Sequence, residues 1–112
     1  MNRLVRQDML HRQKRYRKAR ETAERLAHVL KTNYHARQVI LVGSLTREQS
    51  FGEHSDIDLC ASGIDPERYY KAVGELLVEA GEFEIDLVPM EDATPDMKAI
   101  IAKGEVLYDE RA

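Results

Sequence analysis

The spacing of the apolar residues changes near residue 37, and this change constrains the fold more than any other feature of the sequence. Residues 4–35 predict one long amphipathic helix, because apolar residues recur there every seven positions. The repeating residues are Met9, Tyr16, Ala23 and Leu30. Residues 38–42 then form a short β-branched run that ends at Gly43, which indicates a buried strand rather than more helix.

Strand and helix patterns alternate after this first strand. Apolar residues at every second position predict strands around residues 56–59 and 83–89, and residues 106–108 predict a short strand or an extended tail. The helix predictions come from capping residues and from proline at the first helical position. They are a short helix at 45–49 with Ser44 as its N-cap, a helix at 67–79 after Asp65-Pro66, and a last helix from Thr94-Pro95 to Gly104.

This order predicts an α/β (α+β) fold. We expect a small mixed sheet of three to four strands with helices packed on both faces, preceded by the long N-terminal helix. A chain of 112 residues suits one domain, and we expect residues 1–112 to form it, with the basic helix at 1–36 and the core at 38–108.

The charge is divided unevenly along the chain. Residues 1–37 contain eleven Lys/Arg and three Asp/Glu, whereas residues 38–112 contain six Lys/Arg and seventeen Asp/Glu. The single cysteine, Cys60, excludes an internal disulfide, and no apolar run approaches the roughly 20 residues of a membrane span. These features predict a cytoplasmic protein without a membrane partner, in which crowded carboxylates need a positive counterpart such as a divalent metal.

Three aspartates form the first candidate site. Asp56 and Asp58 are two residues apart on a predicted strand, so both carboxylates point to one face of the sheet. Asp86 lies on another predicted strand and joins them if the two strands are neighbours. Three like charges at one place are unfavourable without a cation. Mg²⁺ suits the group, because it prefers oxygen ligands and shares its coordination shell with substrate phosphates.

Gly43 and Ser44 form the second candidate site. Glycine lets a ligand approach the backbone closely, and free N–H groups at the start of a helix favour phosphate. The Ser44 hydroxyl adds one more hydrogen-bond donor. A phosphate site next to metal-binding carboxylates is the arrangement used for phosphoryl or nucleotidyl transfer.

The combined motif resembles the signature of the DNA polymerase β nucleotidyltransferase superfamily. Gly43-Ser44, eleven further residues and Asp56-Ile57-Asp58 carry the likeness, and the flanking residues are most similar to the minimal nucleotidyltransferase (MNT) branch of short standalone domains. Residues 84–88 resemble the third-carboxylate strand of that branch, and residues 101–108 resemble its closing segment.

The resemblance implies a nucleotidyltransferase fold and a reaction that moves AMP from ATP to a hydroxyl group. It implies that Asp56 and Asp58 bridge two Mg²⁺ ions, with Mn²⁺ as an alternative. Asp86 would complete the metal that activates the acceptor. Gly43 and Ser44 would hold the triphosphate, with Arg47 as a further phosphate contact.

The resemblance also implies a partner, because many MNT domains act as antitoxins beside a HEPN-domain ribonuclease whose tyrosine is the acceptor. One departure from the branch is Glu48, which stands where glycine is usual and predicts a carboxylate near the phosphate site. Two alternatives stay open: a non-catalytic module that neutralises its partner by contact, and a nucleic-acid-binding protein that uses the basic helix. Formation of a homo-oligomer is also left open.

Overall fold

A four-stranded mixed sheet with helices on both faces makes up the computed structural model, which describes residues 2–112. The helices are α1 (Arg3–Tyr34), α2 (Tyr69–Ala80) and α3 (Pro95–Ala102). The strands are β1 (Gln38–Val42), β2 (Ile57–Ser62), β3 (Ile85–Pro89) and β4 (Glu105–Asp109). The predicted fold class is therefore confirmed, and the segment at 106–108 is a strand rather than a tail. No helix within residues 2–112 is long and apolar enough to cross a membrane.

The strand order β3-β2-β1-β4 fixes which residues meet. β1 runs antiparallel to both of its neighbours, whereas β2 and β3 are parallel. Asp58 of β2 is paired with Val42 of β1 on one side and with Asp86 of β3 on the other. Because directly paired residues point to the same face of a sheet, the two carboxylates lie side by side.

The long helix α1 covers one face of the sheet with only its C-terminal half. Asn2 caps its start by accepting a hydrogen bond from the Leu4 amide, and His35 ends it in the left-handed conformation. The predicted heptad stripe is buried from Ala19 onward, whereas Met9 remains exposed because the sheet does not reach that far. The helix predicted at residues 4–35 is thus close to the observed one, and residue 1 lies outside the described residues.

The sheet contributes to two apolar clusters, one on each face. On the first face, Val39, Leu41 and Leu59 pack beneath α1 and α2. On the second face, Ile40, Val42 and Cys60 pack against Met97 and Ile101 of the short helix α3. The second face carries the aspartates as well, so α3 leaves part of it open to a ligand.

The predicted helix at residues 45–49 is wrong. The chain instead makes two 3₁₀ turns, at Gly43–Thr46 and Glu48–Ser50, with Arg47 extended between them. The extended backbone at Arg47 interrupts the segment, and the Thr46 hydroxyl donates to the Gly43 carbonyl oxygen within the first turn. Ser44 therefore lies inside a turn and is not an N-cap.

Gly104 joins α3 to β4 at the most crowded point of this connection. A Cβ atom there would lie 2.5 Å from the Ile40 Cγ2 and 2.8 Å from the Leu41 carbonyl oxygen. The next residue, Glu105, forms a bidentate ion pair with Arg20 of α1. The start of β4 is thus held tightly between the sheet and α1.

Replacing Gly104 by alanine should lower the free energy of unfolding by about 1–3 kcal/mol, because the new methyl group overlaps fixed backbone and β-branched side-chain atoms. Gly74→Ala is the matched control. Gly74 is an exposed helical glycine with nothing within 4 Å of an added Cβ, so this change should raise stability by roughly 1 kcal/mol. Urea denaturation of both variants measures the difference, and a neutral Gly104→Ala would contradict the close packing.

Candidate nucleotide and metal site

The three aspartates meet at one end of the parallel pair β2–β3. Asp58 and Asp86 are register partners near the starts of the two strands, and Asp56 immediately precedes β2. The condition that the sequence left open, that the two strands are neighbours, is met. Asp58 is half-buried, whereas Asp86 lies exposed on the edge strand of the sheet.

The electrostatics of Asp58 reflect this crowding. Partial burial, together with the negative charges of Asp56 and Asp86, raises the pKa of Asp58 to about 6. A cation bound nearby stabilises the charged form of such a carboxylate and lowers its pKa.

The aspartates do not form a closed metal cage by themselves. Among residues 2–112, no three His, Cys, Asp or Glu side chains are placed to hold a metal ion on their own. Mg²⁺ usually binds through one or two carboxylates, water and substrate phosphates. The oxygen donors of Asp56, Asp58 and Asp86 fit an ion of this kind, with its remaining ligands supplied by a triphosphate.

Gly43 brings the candidate phosphate turn into contact with Asp58. Its backbone has φ +79°, and a Cβ atom at this position would lie 2.5 Å from the Asp58 Oδ2. Both the positive φ and the lack of space therefore require glycine here. Gly43 and Ser44 consequently lie directly beside the carboxylate cluster.

A groove of about 420 Å³ extends from this turn towards α3. Ser44 and Arg47 line it from the turn, and Lys103 lines it from the end of α3. Two cations around an open groove favour a polyanionic ligand such as a triphosphate. Lys103 was not among the site residues predicted from the sequence, although it lies just before Gly104 in the closing segment that resembles the family.

Glu48 does not line this groove. It borders a separate hollow together with Met9, Arg12 and Gln13 of α1. Arg47 and Ser50, which flank Glu48 in the sequence, do line the groove, so the Glu48 carboxylate lies close to the groove but outside its lining.

Other reactive side chains near the motif do not join the cluster. His54 is exposed in a turn before Asp56, and Cys60 is fully buried within β2, where burial raises the pKa of its thiol. A separate, mostly apolar hollow of about 440 Å³ beside Tyr69 and the end of β3 contains none of the predicted site residues.

Replacing Asp58 by asparagine should stabilise the metal-free protein at neutral pH. Because the folded-state pKa of about 6 lies above the ordinary value of 3.8, the folded protein holds this proton more tightly than the unfolded chain. The stability that this proton contributes is present below pH 4 and is lost as the pH rises through 6. The Asn variant should therefore match the wild type at pH 4 and exceed it by about 1 kcal/mol at pH 7.5, with solvent screening allowed for. Urea denaturation at pH 4 and pH 7.5 measures the difference in free energy of unfolding between the two proteins. A difference that does not change with pH would contradict the raised pKa of Asp58.

The comparisons with known proteins agree with this geometry. The family model described as polymerase beta, nucleotidyltransferase, matches residues 24–112. The curated proteins include no match to this sequence.

Three solved structures share the fold at low identity. A chain of the MntA–HepT toxin–antitoxin crystal structure is 18% identical over 82% of this chain and 74% of its own, with a TM-score of 0.61. A toxin–antitoxin structure with AMP-PNP gives 20% identity over 77% and 73%, with a TM-score of 0.63. The complex of a tri-AMPylated Shewanella oneidensis HEPN toxin with its MNT antitoxin gives 17% over 83% and 74%, with a TM-score of 0.60.

The family match spans most of the chain and includes the turn at Gly43, the three aspartates and the closing strand. The chain therefore belongs to the polymerase β nucleotidyltransferase family.

Proposed function

We propose that this protein is a metal-dependent adenylyltransferase that moves AMP from ATP to a hydroxyl group of a partner protein. The observation that carries the proposal is the pairing of Asp58 with Asp86, with the Gly43 backbone packed against the Asp58 carboxylate. This arrangement allows a triphosphate and a divalent ion to share one site.

Each site residue has a role in this proposal. Asp56 and Asp58 hold Mg²⁺, which when bound neutralises charge on the phosphates and on the attacking oxygen. Gly43 and Ser44 bind the β- and γ-phosphates, and the positive charge of Arg47 stabilises the leaving pyrophosphate. We add Lys103 to this group because it lines the same groove.

Asp86 acts on the acceptor side. It is the exposed member of the cluster and lies on the edge strand, where a hydroxyl from another molecule can reach it. The acceptor oxygen forms a bond to the α-phosphorus as the bond to pyrophosphate breaks, and Asp86 takes up the hydroxyl proton.

We propose that the acceptor is a tyrosine of a HEPN-domain toxin and that the protein acts as the antitoxin in the cytoplasm. The support comes from relatives of the same fold, which include an AMP-PNP-bound toxin–antitoxin structure and a complex that contains a tri-AMPylated HEPN toxin. The open β3 edge beside Asp86 offers access for a protein acceptor. Residues 1–112 would then act as a single minimal nucleotidyltransferase domain.

The alternative of nucleic-acid binding by α1 is less well supported, because much of its basic face is engaged within the protein. Five of its cations contact carboxylates or backbone carbonyls. The contacts are Arg12 to Gln49, Arg15 to Glu53, Lys18 to Glu82, Arg20 to Glu105 and Arg25 to Glu79. A carboxylate in the phosphate groove would favour the contact-only alternative, and Glu48 is not among the residues that line this groove.

Transfer of label tests the proposal. The protein is incubated with α-labelled ATP, Mg²⁺ and the product of the adjacent reading frame, and we expect label on a tyrosine of that product. Asp56→Asn, Asp58→Asn and Asp86→Asn should each reduce the transfer rate at least about 100-fold, because each removes metal or acceptor activation.

Glu84→Gln is the matched control, since Glu84 is an exposed carboxylate two residues before Asp86. This variant should transfer label at nearly the wild-type rate. Absence of label with the wild type, together with full inhibition of the partner by the Asp56→Asn/Asp58→Asn protein, would instead establish a contact-only antitoxin.

A further inference from the structure

Arg15 lies outside the region matched by the family model, yet its side chain contacts the two segments that lead to the aspartates. Its guanidinium carbon lies 5.6 Å from the centroid of the Phe51 ring and 5.0 Å from that of the Phe83 ring. Both rings are buried, and Arg15 itself is half-buried between them. The planar cation therefore contacts two aromatic groups at once.

The two rings belong to the two segments that lead into the aspartate strands. Phe51 begins the loop that runs to Asp56, and Phe83 lies shortly before β3 and Asp86. A side chain that contacts both rings couples the approach to one metal-binding carboxylate with the approach to the other. Residues 51 and 83 are distant in sequence, so α1 supplies a link between the two segments in addition to the hydrogen bond from the Ile57 amide to the Glu84 carbonyl oxygen.

Hydrogen bonds attach the same loop to α1. Arg15 Nη2 donates to the Glu53 carbonyl oxygen at 2.9 Å, and Arg12 Nη2 donates to the Gln49 carbonyl oxygen at 3.5 Å. Tyr16 adds an edge-to-face contact with Phe51, at 6.3 Å between ring centroids. Arg12, Arg15 and Tyr16, which lie on one face of α1, thus all contact the segment between the phosphate turn and Asp56.

The Arg15 Nε is buried and makes no hydrogen bond to another group among residues 2–112. The guanidinium group therefore holds the loop through the Nη2 hydrogen bond to the Glu53 carbonyl oxygen and through its contacts with the Phe51 and Phe83 rings.

We propose that Arg15 is a positioning residue that fixes the 51–55 loop and thereby the placement of Asp56 relative to Asp58 and Asp86. The expected effect on metal binding rests on the proposed function, whereas the contact between Arg15 and the loop does not. The N-terminal half of α1 then holds the 51–55 loop in position, although it covers little of the core.

Two variants of Arg15 and one control test the proposal. Arg15→Met keeps the apolar stem and loses both the charge and the donors, whereas Arg15→Lys keeps the charge but loses the planar group and the Nη2 contact. Arg17→Met removes an exposed cation two residues along the same helix and should behave like the wild type. All measurements are made well below the unfolding temperature of each variant.

Hydrogen exchange of the metal-free proteins is the first measurement. In both Arg15 variants we expect amides of residues 50–56 to exchange at least about tenfold faster, with residues 19–34 of α1 unchanged. The second measurement is the dissociation constant of Mn²⁺ in the presence of a non-hydrolysable ATP analogue. We expect it to rise about tenfold in both variants, as is typical when the support of a metal ligand is removed.

Wild-type exchange at residues 50–56 in both variants would overturn the proposal, as would a lowered unfolding temperature with unchanged Mn²⁺ affinity. The second outcome would mean that Arg15 only stabilises the fold. If the wild type binds neither Mn²⁺ nor the analogue, the proposed function fails, and the exchange data alone then decide whether Arg15 holds the loop.

Discussion

The parallel pairing of β2 with β3 is the constraint on which the candidate site depends, because its register puts Asp58 directly beside Asp86. A parallel pair cannot be joined by a tight turn and requires a crossover, which α2 provides. A shift of one residue in this register would move Asp86 to the opposite face, beneath α1 and α2. Leu87 and Leu59 prevent this shift, since both must remain in the core on that opposite face.

Hydrophobic periodicity allowed much of this fold to be predicted from the sequence. The four strands and three main helices appear close to their predicted positions. Leu59 and Leu87 alternate with residues of the other face, β1 is a continuous apolar run, and two of the helices begin at recognisable caps, Asp65 and Thr94. The three aspartates were found through their spacing and their resemblance to a known motif. Their convergence depends on the strand order, which is a tertiary property that the spacing of residues along the chain does not determine.

The errors have physical causes of the same kind. The helix predicted at 45–49 followed from local capping preference, but the backbone is extended at Arg47 and divides the segment into two 3₁₀ turns. Lys103 was missed because its position depends on the packing of α3 against the sheet. The sequence left nucleic-acid binding by α1 open, and the structure shows that cations such as Arg15 and Arg20 contact the protein's own loops and strands.

The most direct test of the account is a crystal structure with Mn²⁺ and a non-hydrolysable ATP analogue, in which anomalous scattering locates the metal. The account predicts metal bound to the Asp56 and Asp58 carboxylates at roughly 2.0–2.2 Å, as for a hard divalent ion with oxygen ligands. It also predicts a triphosphate across Gly43 and Ser44, with Lys103 within hydrogen-bonding distance of a phosphate oxygen. Metal bound away from these aspartates, or a nucleotide in the hollow beside Tyr69, would contradict it.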